Sequence, residues 1–259
     1  MEFHGKTVVV TGGGRGLGRH VARSFAEKGA SVVIAGRDAD ALSSLQTEFE
    51  ISRYACIAVQ ADLSLEAGAK TLAEAVEKRF GAADVVVAAA GQGGSANDPV
   101  VDTPPSRFEE MLRGNFMTTV LPVRALLSQM ISRRSGKIVV ISGVFGIRGR
   151  AGRAASSSAK WAVEGFVRSL ALEVGVHNIN VNCVCPGYVE GPRMQASIAA
   201  AAARTDRSPE DVLRYLEQQT ALGRFSTPSD IAGAVEFLAS ERSRNITGQD
   251  IVVDAGWTL

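Results

Sequence analysis

The segment Thr11-Gly-Gly-Gly-Arg-Gly-Leu-Gly18 follows a β-branched run at residues 6–11 and opens onto a helical pattern over 17–28. Glycines at such a junction let the backbone approach a pyrophosphate. The free N–H groups of the helix start add a partial positive charge aimed at it. The spacing is Gly12-x-x-x-Gly16-x-Gly18, not the G-x-G-x-x-G of the ordinary dinucleotide fingerprint. Gly12, Gly16, Leu17 and Gly18 are therefore the expected phosphate-side contacts. A purely structural turn is the alternative, but its place at the first strand–helix junction of an alternating chain favours a cofactor.

Charge then speaks to which cofactor. A site for NAD usually ends its second strand with a carboxylate that binds the ribose 2′-hydroxyl. Here Gly36 stands at that place, with Arg37 next to it. Arg37, with Arg15 from the glycine turn, supplies the cations that a 2′-phosphate needs. NADP(H) is thus expected in preference to NAD(H). Against this stand two readings: both arginines are surface groups, or Asp38 serves a 2′-hydroxyl.

These groups need a scaffold, and the apolar pattern provides one. Short strand-like runs at residues 6–11, 31–35, 55–60, 84–90, 137–142, 180–184 and 250–253 alternate with helical patterns at 17–28, 39–51, 67–80, 106–132 and about 156–174. That rhythm predicts an α/β fold: one Rossmann-like, doubly wound, seven-stranded parallel sheet with helices on both faces, spanning residues 1–259 as a single domain. The alanine-rich stretch 196–219 breaks the rhythm between two strands. It falls where ligands bind in such sheets, so residues 191–219 are expected to form a substrate lid.

Composition excludes other classes. With 28 basic and 27 acidic side chains the chain lacks the cationic field of a nucleic-acid binder. No apolar run approaches the roughly 20 residues of a membrane span, and the first residues carry no signal-peptide pattern. Cys56, Cys183 and Cys185 read as free thiols of a cytoplasmic protein, and with only three histidines a metal site is not expected.

The glycine spacing resembles that of the short-chain dehydrogenase/reductase family, and further landmarks follow in order along the whole chain. Asp62-Leu63 matches the family's adenine-contacting pair, Ala90-Gly91 the end of its Asn-Asn-Ala-Gly segment, and Asn115 its helix asparagine. Lys160 matches its active-site lysine, Pro186-Gly187 (with Val189 just beyond) its turn near the nicotinamide, and Gly248-x-x-Ile251-x-Val253-Asp254-x-Gly256 its last strand. The resemblance implies a nicotinamide-dependent oxidoreductase acting on a small molecule and assembling as a homotetramer or dimer.

The catalytic positions depart from that pattern. The family uses Tyr-x-x-x-Lys and a serine thirteen residues before the tyrosine. Counting back from Lys160 gives Ser156 where the tyrosine belongs and Gly143 where the serine belongs; Ala88-Ala89 replace the asparagine pair. Ser142 is one position early, and neighbouring side chains on a strand point to opposite faces. Loss of a general acid costs about 10²–10⁴ in rate. Ordinary carbonyl reduction should therefore be weak unless Tyr188 or Tyr215 supplies the proton, or Asn115 and Lys160 organise a water relay. Three functions are compatible with these residues. One is an NADP(H)-dependent oxidoreductase with an atypical site, similar in its Ser-x-x-x-Lys to 2,4-dienoyl-CoA reductases, acting on an activated carbonyl or a conjugated enoyl substrate. The second is a catalytically degenerate, regulatory dinucleotide binder, and the third a Ser–Lys hydrolase using Ser156 or Ser157. Arg193, Arg204, Arg207 and Arg214 would either meet an acidic substrate or form a solvated helix face.

Overall fold

The computed structural model describes residues 1–93 and 98–259. Val- and Ile-rich runs form seven parallel strands: β1 (Thr7–Thr11), β2 (Ser31–Gly36), β3 (Cys56–Gln60), β4 (Val85–Ala88), β5 (Gly136–Ile141), β6 (Ile179–Pro186) and β7 (Asp250–Val253). Their order is β3-β2-β1-β4-β5-β6-β7. The order reverses between β1 and β4, whose ends meet at Thr11↔Ala88. A crevice opens there, at the carboxyl ends of the strands, and this is where a doubly wound sheet binds ligands.

Strand alternation sends side chains to two cores. Val9, Val33 and Val86 face helices α3 (Glu66–Phe80), α5 (Thr118–Arg133) and α6 (Ala154–Val174), through Leu72, Leu126 and Val167 among others. Val8, Val10, Val32 and Ile34 face α1 (Gly16–Glu27), α2 (Ala39–Ile51) and α9 (Pro228–Ala239), through Phe25, Leu45 and Ile231. Burial on both faces explains why these strands read as continuous apolar runs.

Three features were not foreseen in the sequence. The helical pattern at 106–132 is not one α-helix: α4 (Pro105–Met111) passes through a π-helical turn (Leu112–Met117) before α5 begins. Single π turns of this kind are often found at functional sites. α9 was absent from the expected pattern, although Thr227 and Asp230 form a reciprocal capping box at its start. The stretch 191–219 holds two helices, α7 (Pro192–Thr205) and α8 (Pro209–Glu217), joined by a small core of Met194, Ile198, Ala202, Val212 and Phe225. No helix among the described residues is long and apolar enough to cross a membrane.

Candidate active site

The glycine turn is fixed by backbone contact. A Cβ on Gly12 would lie 2.9 Å from the Ala90 backbone, and one on Gly18 only 2.3 Å from the Gly12 carbonyl oxygen. No side chain fits at either position, so the first turn of α1 closes tightly on the end of β1. The Thr11 hydroxyl accepts a hydrogen bond from Ala90 N (3.1 Å), tying the turn to the segment after β4. Gly16 and Leu17 begin α1, so their N–H groups face the crevice end of that helix. The cradle suits a dinucleotide pyrophosphate in both shape and donor chemistry.

At the end of β2 a Cβ on Gly36 would meet nothing within 4 Å, which leaves open space beside exposed Arg37. Arg15 is paired with Asp38. Asp38 also caps α2 by accepting from Ala41 N (3.0 Å), so both of its oxygens are engaged. Asp62, just after β3, accepts from the backbone and hydroxyl of Ser64 (3.0 and 2.7 Å). Those bonds hold its carboxyl below the ordinary range, helped by the charges of Arg37 and Arg113. Leu63 is buried beside it.

The π turn carries Asn115 into the interior, where its amide nitrogen donates to Met111 O (3.0 Å) and its Oδ1 accepts from Gln92 N (3.2 Å). Its backbone carbonyl accepts from the Thr119 hydroxyl (2.9 Å). Lys160 comes from the second turn of α6. A Cβ placed on Gly91 would sit 3.2 Å from Asn115 Oδ1 and 3.8 Å from Lys160 Nζ, so these two polar atoms converge on one glycine. Part of the Lys160 chain stays accessible, but its ammonium is enclosed. Burial lowers its pKa, the nearby Cys183, Glu164 and Cys185 oppose that, and the cation of Arg193 adds to it.

The serines occupy different surroundings. Ser156 is half-buried and lines a small cavity with Thr103, Arg107, Met111 and Arg153. Ser157 is buried and its hydroxyl has no hydrogen-bond partner. Among the described residues no hydrogen bond joins Ser156 or Ser157 to Lys160, so no nucleophile–base pair is formed. The Ser142 hydroxyl is buried and unpartnered as well. It lies 3.1 Å from where a Cβ on Gly146 would be, next to Glu164 and turned toward α6. Gly143 has φ +155°, and a Cβ there would approach only Pro186 O, at 3.7 Å.

Pro186 ends β6, the following Gly187 N donates to Val253 O (3.0 Å), and Val189 bridges to Ser226. Beyond them the Tyr188 hydroxyl accepts from Arg150 (2.9 Å), while its ring packs on Trp257 and Phe225. Tyr215 is half exposed on α8, beneath Arg207.

Sequence reading missed the polar group behind Lys160. Glu164, one turn further along α6, is fully buried, and its Oε2 has no partner. Ligand atoms of Glu164, Cys183 and Asp250 lie within 4.8 Å of one another. Burial and the neighbouring Glu164 push the Asp250 carboxyl up to about 7, against the pull of its partner Arg168. The only signal in the sequence was the four-residue step from Lys160 to Glu164.

Sheet order, crevice and glycine cradle together define a dinucleotide-binding α/β protein of the oxidoreductase kind. A family model described as enoyl-(acyl carrier protein) reductase matches residues 12–258. The chain is 33% identical over 261 residues to the oxidoreductase UcpA of Salmonella typhimurium, covering 100% of this chain and 96% of that one. Among solved structures, a gluconate 5-dehydrogenase from Burkholderia cenocepacia in complex with NADP and tartrate superposes with TM-score 0.89 at 28% identity, covering 99% of this chain and 96% of the other. An NAD+-bound xylitol dehydrogenase gives TM-score 0.93 at 25% identity, covering 99% and 100%. The chain belongs to the short-chain dehydrogenase/reductase family, whose members are NAD(P)-type oxidoreductases.

Proposed function

We propose that the chain is an NADP(H)-dependent oxidoreductase whose active site works without the usual phenol. The observation that carries this reading is the convergence of Lys160 and Asn115 on Gly91, directly beside the glycine cradle. The dinucleotide supplies or accepts a hydride when bound. Lys160 and the end of β6, Pro186 to Val189, hold its nicotinamide half; Gly12, Arg15, Gly16, Leu17 and Gly18 hold its phosphates. Asp62 and Leu63 line the adenosine side, and Ala90 and Gly91 line the crevice between it and Lys160. Arg37 supports NADP(H) because it faces open space at Gly36, while Asp38 is already committed to Arg15 and to the α2 cap.

Ser156 and Gly143 leave no strong acid where a ketone oxygen would be protonated, because an aliphatic hydroxyl is a far weaker acid than a phenol. The substrate class that fits is one whose reduction leaves a stabilised anion, an activated carbonyl or a conjugated enoyl compound. In such a site Lys160 offers positive charge, and Asn115 holds the local backbone. Helices α7 and α8 act as the lid. Trp161 and Leu172, exposed on one face of α6, support self-association as a dimer or tetramer, which light scattering would test.

The deciding experiment is NADPH turnover across a panel of ketones and enoyl thioesters, beside a direct titration of NADPH and NADH. Turnover of conjugated acceptors with poor ketone reduction is expected. NADPH binding without turnover of any acceptor would favour a regulatory dinucleotide binder, the second reading that the missing hydroxyls support.

A further inference from the structure

We infer that the mouth of this active site is built for an anionic substrate, a carboxylate or phosphate carried on a flat apolar body. The inference rests on the oxidoreductase reading above and adds the chemistry of the substrate to it.

Three segments at the carboxyl ends of β5, β6 and β7 form an aromatic wall. Phe145 and Tyr188 both pack against Trp257, with ring centroids 6.0 and 5.3 Å apart. Trp257 is held in place because Asp254 accepts from Gly256 N and Thr258 N (2.8 Å each), which fixes the last turn of the chain. The wall gives a planar substrate apolar area, and its geometry is set by backbone rather than by chance packing.

Cations gather on that wall. Arg148 lies 5.1 Å over the Trp257 ring, and Arg153 lies 5.8 Å over Phe145. Arg150 donates to the Tyr188 hydroxyl at 2.9 Å. From the lid, the Arg193 guanidinium comes within 3.5 Å of the position a Cβ on Gly93 would take, and its charge reaches Lys160. Arg148, Arg150 and Arg193 have no carboxylate within ion-pair distance among the described residues. Arg153 is itself held below its ordinary pKa by burial and by the like charges of Arg150 and Arg204, with Asp98 opposing.

Arg148, Arg150 and Arg193 are exposed, and Arg150 and Arg204 act as like charges on the half-buried Arg153. An anion entering there relieves the repulsion and gains paired hydrogen bonds from guanidinium groups. The position fits a substrate rather than the dinucleotide phosphates, because Arg148, Arg150 and Trp257 sit beyond β5 and β7, whereas the phosphate cradle lies at β1.

The test is calorimetric titration of cinnamate, phenyl phosphate and cinnamamide into the full chain, with and without saturating NADP+, at low and high salt. At least one of the two anions should bind about tenfold tighter than the neutral amide, the scale of one charge-assisted contact. Added salt should weaken that preference, and Arg150→Ala and Arg193→Ala, both exposed positions, should each remove most of it. Comparison of the two anions tells a carboxylate site from a phosphate site. Equal or tighter binding of cinnamamide, or no binding of either anion, overturns the inference. NADPH titration on the same samples reports separately on the oxidoreductase reading. Charge preference without NADPH binding would therefore sink that reading alone, and NADPH binding without charge preference would sink this one alone.

Discussion

The two sides of the crevice obey different rules. At the β1–α1 turn, the backbone leaves no room for side chains: an added Cβ at Gly12 or Gly18 would run into main-chain atoms 2.9 and 2.3 Å away. At the β5–α6 side the lining is made of side chains: Ser156 is half-buried at a small cavity, and Gly143 has open space for a Cβ although its φ of +155° suits glycine. Main-chain packing therefore fixes residue type on the first side more tightly than on the second.

If that contrast holds, the largest effect should come from the backbone side. Gly18→Ala forces a Cβ into the Gly12 carbonyl and must displace the start of α1. NADPH affinity should fall about 100-fold or more, and stability by about 1–3 kcal/mol, the usual range for overpacking. Titration and thermal denaturation would show both; retention of wild-type affinity would mean the cradle does not hold the phosphates.

On the side-chain face the expected change is a gain. Ser156→Tyr with Gly143→Ser restores a phenol and a hydroxyl next to Lys160, and ketone reduction should rise about 10²-fold. The space at Gly143 is open, but its φ of +155° suits glycine, so a serine there costs roughly 1–3 kcal/mol of backbone strain. Ser156→Tyr alone should accordingly give a more stable protein with part of the gain. High ketone turnover by the unaltered chain would defeat this prediction and direct attention to Tyr188, whose hydroxyl is at the mouth, rather than to half-exposed Tyr215.

A third test returns to the cofactor side, at the exposed side chain of Arg37. Arg37→Asp should weaken NADPH by about 1.5–3 kcal/mol and leave NADH nearly unchanged. Equal losses for both would assign Arg37 to the general surface.

How far the sequence could be read follows the same division. The seven strands and the doubly wound layout were legible because burial on both faces writes itself as unbroken apolar runs. The cradle was legible because a close backbone approach admits only glycine. The π turn at Asn115 was not, since a widened helical turn keeps the apolar spacing of the long helix around it. α9 escaped because its apolar residues, buried on the face of α1, lie in a stretch without strand-like punctuation. The pairing of Arg15 with Asp38 and the buried Glu164–Asp250 contact join residues 23 and 86 positions apart, and local pattern carries no record of such meetings.

The smallest predicted effect concerns that last pair. Burial and the neighbouring Glu164 carboxyl make Asp250 resist ionising. The Asp250 pKa rises from an ordinary 3.8 to about 7 in the folded chain. A group whose folded pKa is raised binds its proton more tightly folded than unfolded. Its stabilising contribution is therefore complete below about pH 4 and is lost as pH climbs toward 7. The neighbouring Arg168 reduces the effect to the order of 1–2 kcal/mol. In Asp250→Asn that titration is gone, so the stability difference between wild type and variant should shrink or reverse across this interval. Urea denaturation at pH 4, 5.5 and 7 would measure it, with the lowered carboxyls Glu48, Asp62 and Asp230 common to both proteins and cancelling in the difference. A difference that stays constant with pH would show that Asp250 does not titrate across this interval.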